Sequence, residues 1–130
     1  DNIIADEFSN DANVKAINSD QIPDGWEGLD IGPKTIAMFE EELKKAKTIL
    51  WNGPVGLSEF PKFANGTDSL ARLLASMDDC VTIIGGGDSA AAIERNGLSD
   101  KMTHISTGGG ASLEFLEGKK LPGIECLLDK

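Results

Sequence analysis

Short apolar runs alternate along the chain with longer amphipathic stretches, the pattern of strands separated by helices. Asn2 to Ala5 reads as a first strand. The Asp/Asn-rich segment from Asp6 to Asn13 reads as a loop leading to a second apolar segment at Val14 to Ile17. Irregular chain follows, with a turn at Pro23-Asp24-Gly25. Pro33 marks a helix start, because a missing N–H costs nothing in a first turn. Ile36, Phe39, Leu43 and Ala46 then recur at helical spacing, opposite a solvated face of Glu40, Glu41, Glu42, Lys44 and Lys45. Thr48 to Trp51 has the continuous apolar character of a buried parallel strand and stops at Asn52-Gly53-Pro54. Thr67 or Asp68 caps a helix carrying Leu70, Leu73, Leu74 and Met77, so Asn65-Gly66-Thr67, formally a glycosylation acceptor, reads as the loop ending in that cap. Cys80 to Ile84 is another buried strand, which breaks at Gly85-Gly86-Gly87. Asp88 to Asn96 is a helix closed by Gly97. Met102 to Ser106 is a further short strand, Ala111 to Leu116 a helix stopped by Gly118, and Leu121 to Lys130 an extended arm.

This order predicts an α/β fold around a mostly parallel sheet, with ligands collecting at the carboxyl ends of the strands. At 130 residues and 40% apolar, the chain can bury a core. It opens on Asp1 rather than Met and enters an apolar run at once, so an upstream part is expected to be missing. A net charge of −10 disfavours broad attraction to nucleic acid or an anionic membrane. No apolar stretch approaches the ~18 residues of a membrane span, and no signal peptide opens the chain. Cys80 and Cys126 lack metal-ligand spacing and read as buried thiols in a reducing, intracellular compartment.

The sharpest chemical signal is Thr82 to Ser89, a strand running into three glycines and then a helix start. Glycine lets the backbone approach a ligand, and the free N–H groups of a first helical turn favour an anion by about 0.3–1 kcal/mol. Phosphate is the natural guest. A carboxylate at Asp88 would repel it unless a divalent cation sits between them, which makes Asp88 a candidate Mg²⁺ ligand. The competing reading is that Asp88 caps its helix. No Gly-Lys-Ser/Thr follows, so the Walker pattern fails. Gly85, Gly87 and Ala90 fit a dinucleotide fingerprint, but His104 to Thr107 supplies no acid for the ribose. Ser106 to Ser112 repeats the strand–glycine–helix arrangement and can serve as an anion site, a hinge or both. The loop from Trp51 to Pro61 offers apolar surface at Pro54 and Leu57 for a flat base, and Glu59 to accept from a ribose hydroxyl; it also reads as an ordinary long loop. His104 is the sole histidine, which excludes a His-rich metal site and leaves it a packed residue or a base. Arg72 and Arg95 are the only arginines, and both fall on predicted helices away from the glycine loops.

Five motifs in order resemble the phosphoglycerate kinases: Ile22-Pro23-Asp24-Gly25-Trp26, Gly28-Leu29-Asp30-Ile31-Gly32-Pro33, Trp51-Asn52-Gly53-Pro54, Gly85-Gly86-Gly87-Asp88-Ser89 and His104 to Ser112. The resemblance implies a partial Rossmann-like, three-layer αβα domain: residues 1–130 form the C-terminal portion of the nucleotide-binding domain, with 119–130 as a C-terminal arm. It further implies that Asn52 contacts nucleotide phosphates, Pro54 and Leu57 line the adenine pocket and Glu59 holds the ribose. Gly86 and Gly87 give N–H groups to the phosphates, Ser89 adds a phosphate contact and Asp88 serves Mg²⁺. The implied catalytic set is Gly86, Gly108, Gly109 and Gly110, the last three facing the phosphoryl group in the closed enzyme. The implied reaction is reversible phosphoryl transfer from 1,3-bisphosphoglycerate to ADP, in glycolysis, by a cytoplasmic two-domain monomer with no nucleic-acid or membrane partner. Ser58 stands where that family usually has Phe. The family's N-terminal domain, with its arginine cluster, and the segment with its catalytic lysine are absent from these residues. Two readings follow: part of a Mg-nucleotide site for ADP or ATP, or an inactive isolated fragment acting at most as a weak nucleotide-binding module.

Overall fold

A computed structural model describes residues 1–108. Gly109, Gly110, Cys126, the expected helix at 111–116 and the arm at 119–130 lie outside the described residues.

The first three strands are β1 (Asn2–Ala5), β2 (Val14–Ile17) and β3 (Glu27–Ile31), in an antiparallel sheet of order β2-β1-β3. β1 and β2 fall where the apolar runs place them. β3 falls in the stretch expected to be irregular, because its Gly28 and Asp30 are poor strand formers. Pairing with β1 overrides that preference, with a register shift at Ile3/Ile4. β4 (Thr48–Asn52), β5 (Val81–Gly85) and β6 (His104–Ser106) form the expected parallel sheet, in the order β4-β5-β6. Mixed α/β architecture with a parallel sheet is thus the fold class, and the antiparallel sheet is an addition to it.

Among the described residues three α-helices accompany these strands: α1 (Pro33–Leu43), α2 (Asn65–Ser76) and α3 (Gly87–Arg95). α1 begins on Pro33 as expected, but of its apolar stripe only Ile36 is buried; Phe39 remains 39% exposed. The helix stops at Leu43, so Ala46 packs on the core from beyond its end. α2 starts earlier than the capping residues suggest. Thr67 and Asp68 lie inside its first turn, and neither gives it a side-chain cap. α3 ends as expected at Gly97, whose φ of +68° lets Gly97 N–H bond Glu94 O and Leu98 N–H bond Ile93 O.

The main core joins Ile49, Trp51 and Ile84 of the parallel sheet to Leu70, Ala71 and Leu74 of α2 and Ile93 of α3. Fully burying an aliphatic side chain such as Ile84 or Ile93 stabilises by about 1.5–3 kcal/mol. Burial alternates along β4: Ile49 and Trp51 face the helices, while Thr48, Leu50 and Asn52 are exposed. The described residues therefore cover one face of this sheet, as a partial domain does. A second cluster gathers Ala5, Ala12 and Phe63 with Leu29, Leu57 and Phe60. Cys80, expected to be buried, is half-exposed just before β5. No helix among the described residues is long and apolar enough to cross a membrane.

Candidate functional site

The parallel register aligns Asn52 with Gly85 and Gly85 with Ser106. All three loops singled out in the sequence therefore leave the sheet at one level, along the carboxyl edge of its strands. At its centre Gly86 takes φ +98°, a conformation that disfavours any residue with a Cβ. The Gly86 N–H, expected to face a phosphate, instead donates to Ser106 O at 2.8 Å, continuing the ladder between β5 and β6. The first bond inside α3 runs from Ala90 N–H to Gly86 O, so the amides of Gly87, Asp88 and Ser89 form the helix's N-terminal turn. Among the described residues, a Cβ at Gly87 would meet nothing within 4 Å, so they leave the space beside that turn open.

Asp88 is exposed in this turn. Gly86 is the N-cap and no side chain caps the helix, which removes the capping reading of Asp88. No group of three or more His, Cys, Asp or Glu residues among those described could hold a metal. A single exposed carboxylate fits Mg²⁺ instead, an ion that keeps its waters and is often held by one carboxylate together with substrate phosphates. Ser89 is fully buried, and its Oγ accepts from Gly53 N–H at 2.7 Å. Its hydroxyl faces the loop after β4, and its amide lies in the α3 N-terminal turn.

That loop is not loosely held. Trp51 Nε1 donates to Gly53 O at 2.6 Å, Val55 N–H to Thr67 Oγ1 at 3.2 Å, and Leu57 N–H to Leu29 O at 2.9 Å. Arg95, at the far end of α3, donates to Ser58 O at 3.2 Å and pairs with Asp68 of α2 at 2.6 Å. The Asp68 carboxylate also accepts from Asn96 Nδ2 at 2.9 Å. Pro54 and Leu57 line one side of a cleft of about 380 Å³ whose other side is β3, with Leu29 as its apolar wall. Glu59 is exposed two residues beyond Leu57. Asn52 is exposed at the end of β4, its side chain alongside Gly85, where a Cβ would come 3.0 Å from Asn52 Nδ2. Gly108 is exposed beyond β6, its N–H bonded to Ser106 Oγ at 3.3 Å. His104 is exposed at the start of β6.

Two lining residues escape sequence reasoning. Leu29 belongs to the quoted Gly28-Leu29-Asp30 motif but sits in chain with no recognisable strand pattern. Asp30 is 4% exposed, its carboxylate accepting from Gly66 N–H at 2.9 Å and Ile31 N–H at 2.8 Å. Burial raises its pKa above the ordinary 3.8, against the pull of those two bonds, and the Asp68 charge adds to the rise.

The loop after β4 thus joins Gly53, held against the α3 N-terminal turn with its exposed Asp88, to Pro54 and Leu57, which line a cleft of mixed polarity, and to the exposed Glu59. A family model described as phosphoglycerate kinase matches residues 1–119. A phosphoglycerate kinase of Trichodesmium erythraeum is 56% identical over 130 residues, covering 100% of this chain and 33% of the relative. That of Lactobacillus helveticus is 59% identical over 130 residues, covering 100% and 32%. The solved phosphoglycerate kinase of Coxiella burnetii superposes with a TM-score of 0.87 at 44% identity, over 95% of this chain and 32% of that one. The Pyrococcus horikoshii enzyme superposes with a TM-score of 0.70 at 40% identity, over 78% and 25%. The chain spans about a third of the length of the curated relatives it matches.

Proposed function

This chain belongs to the phosphoglycerate kinase family, and from that premise we propose that it supplies part of a Mg-nucleotide site for phosphoryl transfer between 1,3-bisphosphoglycerate and ADP. The observation that carries the reading is the shared carboxyl edge: the α3 N-terminal turn with its exposed Asp88 and the loop that carries Pro54 and Leu57 leave the sheet at one level. In this reading the cleft takes the adenine and Glu59 the ribose. Asn52 and the amides of Gly87 and Ser89 take the phosphates, and Gly86 shapes the turn that aims those amides. Asp88 would hold Mg²⁺, which supplies neutralisation of phosphate charge when bound. Gly108, with Gly109 and Gly110 outside the described residues, would meet the phosphoryl group on closure. The setting is a Rossmann-like domain of a cytoplasmic, glycolytic monomer, whose N-terminal domain brings the phosphoglycerate. The protein's part in catalysis is then positioning and charge stabilisation by preorganised donors.

A specific observation favours the second reading for the 130 residues by themselves. Arg95 is committed to Asp68 and Ser58 O, and Arg72 to Ser69 Oγ, in a chain of net charge −10. Neither arginine is therefore offered at this edge. A coupled assay separates the readings. A full-length polypeptide containing this sequence should phosphorylate ADP in the presence of Mg²⁺, and the 130-residue chain should not. No turnover by the full-length polypeptide would refute the transfer assignment, and turnover by the short chain would refute the fragment reading.

A further inference from the structure

Asp30 is a buried carboxylate that the proposed chemistry does not use. It lies on β3 with no cation beside it among the described residues, yet it is only 4% exposed. One oxygen accepts from Ile31 N–H within β3, and the other accepts from Gly66 N–H in the first turn of α2. A helix N-terminus stabilises a negative charge placed there. The same carboxylate packs against Gly56, where a Cβ would run into it and also come 2.7 Å from the Phe63 carbonyl oxygen. Gly56 sits between Pro54 and Leu57, and Asp30 itself lines the cleft with them.

We propose that Asp30 is a positioning residue for the base-binding cleft: its carboxylate fixes the distance between β3 and the Gly53–Ser58 loop, and so the gap between Leu29 and Leu57. The inference rests on the nucleotide reading above. Three ties converge on this gap: Leu57 N–H to Leu29 O, Asp30 to Gly66 N–H, and the close approach of Asp30 to Gly56. The first joins the two walls directly. The second ties β3 to α2 and the third sets how closely the loop approaches the strand, and both run through the Asp30 carboxylate.

Replacing Asp30 by Asn conserves shape but turns one accepting oxygen into a donor, so either Ile31 N–H or Gly66 N–H loses its partner. The cleft walls should shift while the α3 N-terminus, which Asp30 does not contact, keeps its geometry. The test is calorimetry on a full-length polypeptide containing this sequence, with ADP and inorganic tripolyphosphate as paired probes in the presence of Mg²⁺. For Asp30→Asn, the Kd for ADP should rise about tenfold or more while that for tripolyphosphate stays within about twofold. A parallel loss for both probes would mean that Asp30 only supports the fold, and unchanged ADP affinity would mean that it sets nothing; either result overturns the proposal. Should Asp30→Asn fail to fold, Gly56→Ala presses on the same contact from the loop side and is held to the same base-selective criterion. If the unsubstituted protein binds neither probe, the nucleotide reading itself has failed.

Discussion

Asp88 and Ser89 are neighbours, yet the structure gives their side chains opposite surroundings. Asp88 is exposed and Ser89 is fully buried against Gly53. The sequence leaves Asp88 open between cap and metal ligand because the answer turns on whether α3 begins at Gly87 or at Ser89, and helix ends are set to within a residue or two only by the surrounding packing. Asp30 was wholly illegible: a carboxylate in a Gly-rich stretch looks solvated, and its partner Gly66 is 36 residues away. Its raised pKa gives a stability prediction with a definite sign. The folded state keeps the Asp30 proton at pH values where the unfolded chain, titrating near the ordinary 3.8, has released it. The contribution is therefore complete below 3.8 and is lost as pH rises through the folded value. Asp6, whose carboxyl the Asn13 side chain pulls below 3.8, acts in the opposite sense but is common to both proteins compared. Urea denaturation should show the stability advantage of the unsubstituted protein over Asp30→Asn growing as the buffer is lowered from about pH 7 to about pH 3.5. A flat or inverted difference would contradict this placement of the carboxylate.

Among the elements, strands and helices with a clean apolar period were readable: β1, β2, β4, β5 and all three helices fall within a few residues of the pattern. β3 was not, because its inward positions carry Asp30 and Leu29 rather than β-branched residues, and only pairing to β1 makes it a strand. The loop between β4 and α2 looked irregular, and it is. What the sequence hides is that its amides find partners on β3, α2 and α3. Thr67 shows the cause: a residue read as a helix cap spends its hydroxyl on Val55 N–H, 12 positions back. Thr67 is fully buried. Thr67→Val should then strand the Val55 amide at a cost of about 1–3 kcal/mol. Hydrogen exchange at Val55 should speed up relative to Leu57, which keeps Leu29 O. Equal acceleration at both amides would show the loop opening as one unit, with Thr67 holding nothing in particular.

At the scale of the whole molecule, the parallel sheet does two things at once. It buries Ile49, Trp51 and Ile84 under α2 and α3, and by register it delivers three loops to one edge. The alternating strand–glycine–helix pattern made that edge readable, but sequence could not show which amides remain on offer there. Gly86 is spent on Ser106 O, which leaves the turn of Gly87, Asp88 and Ser89 as the one to which the proposal gives the phosphates. In the proposed function this turn and the exposed Asp88 carboxylate receive a Mg-nucleotide. Calorimetric titration of ADP with Mg²⁺ into a full-length polypeptide containing this sequence, beside Asp88→Ala and with thermal melting of both, tests it most directly. One-site binding should be seen, weakening about tenfold or more in Asp88→Ala. Melting should change little, because the lost helix-terminus charge is worth only about 0.3–1 kcal/mol. Undiminished ADP affinity in Asp88→Ala, with or without a fall in melting temperature, would contradict it.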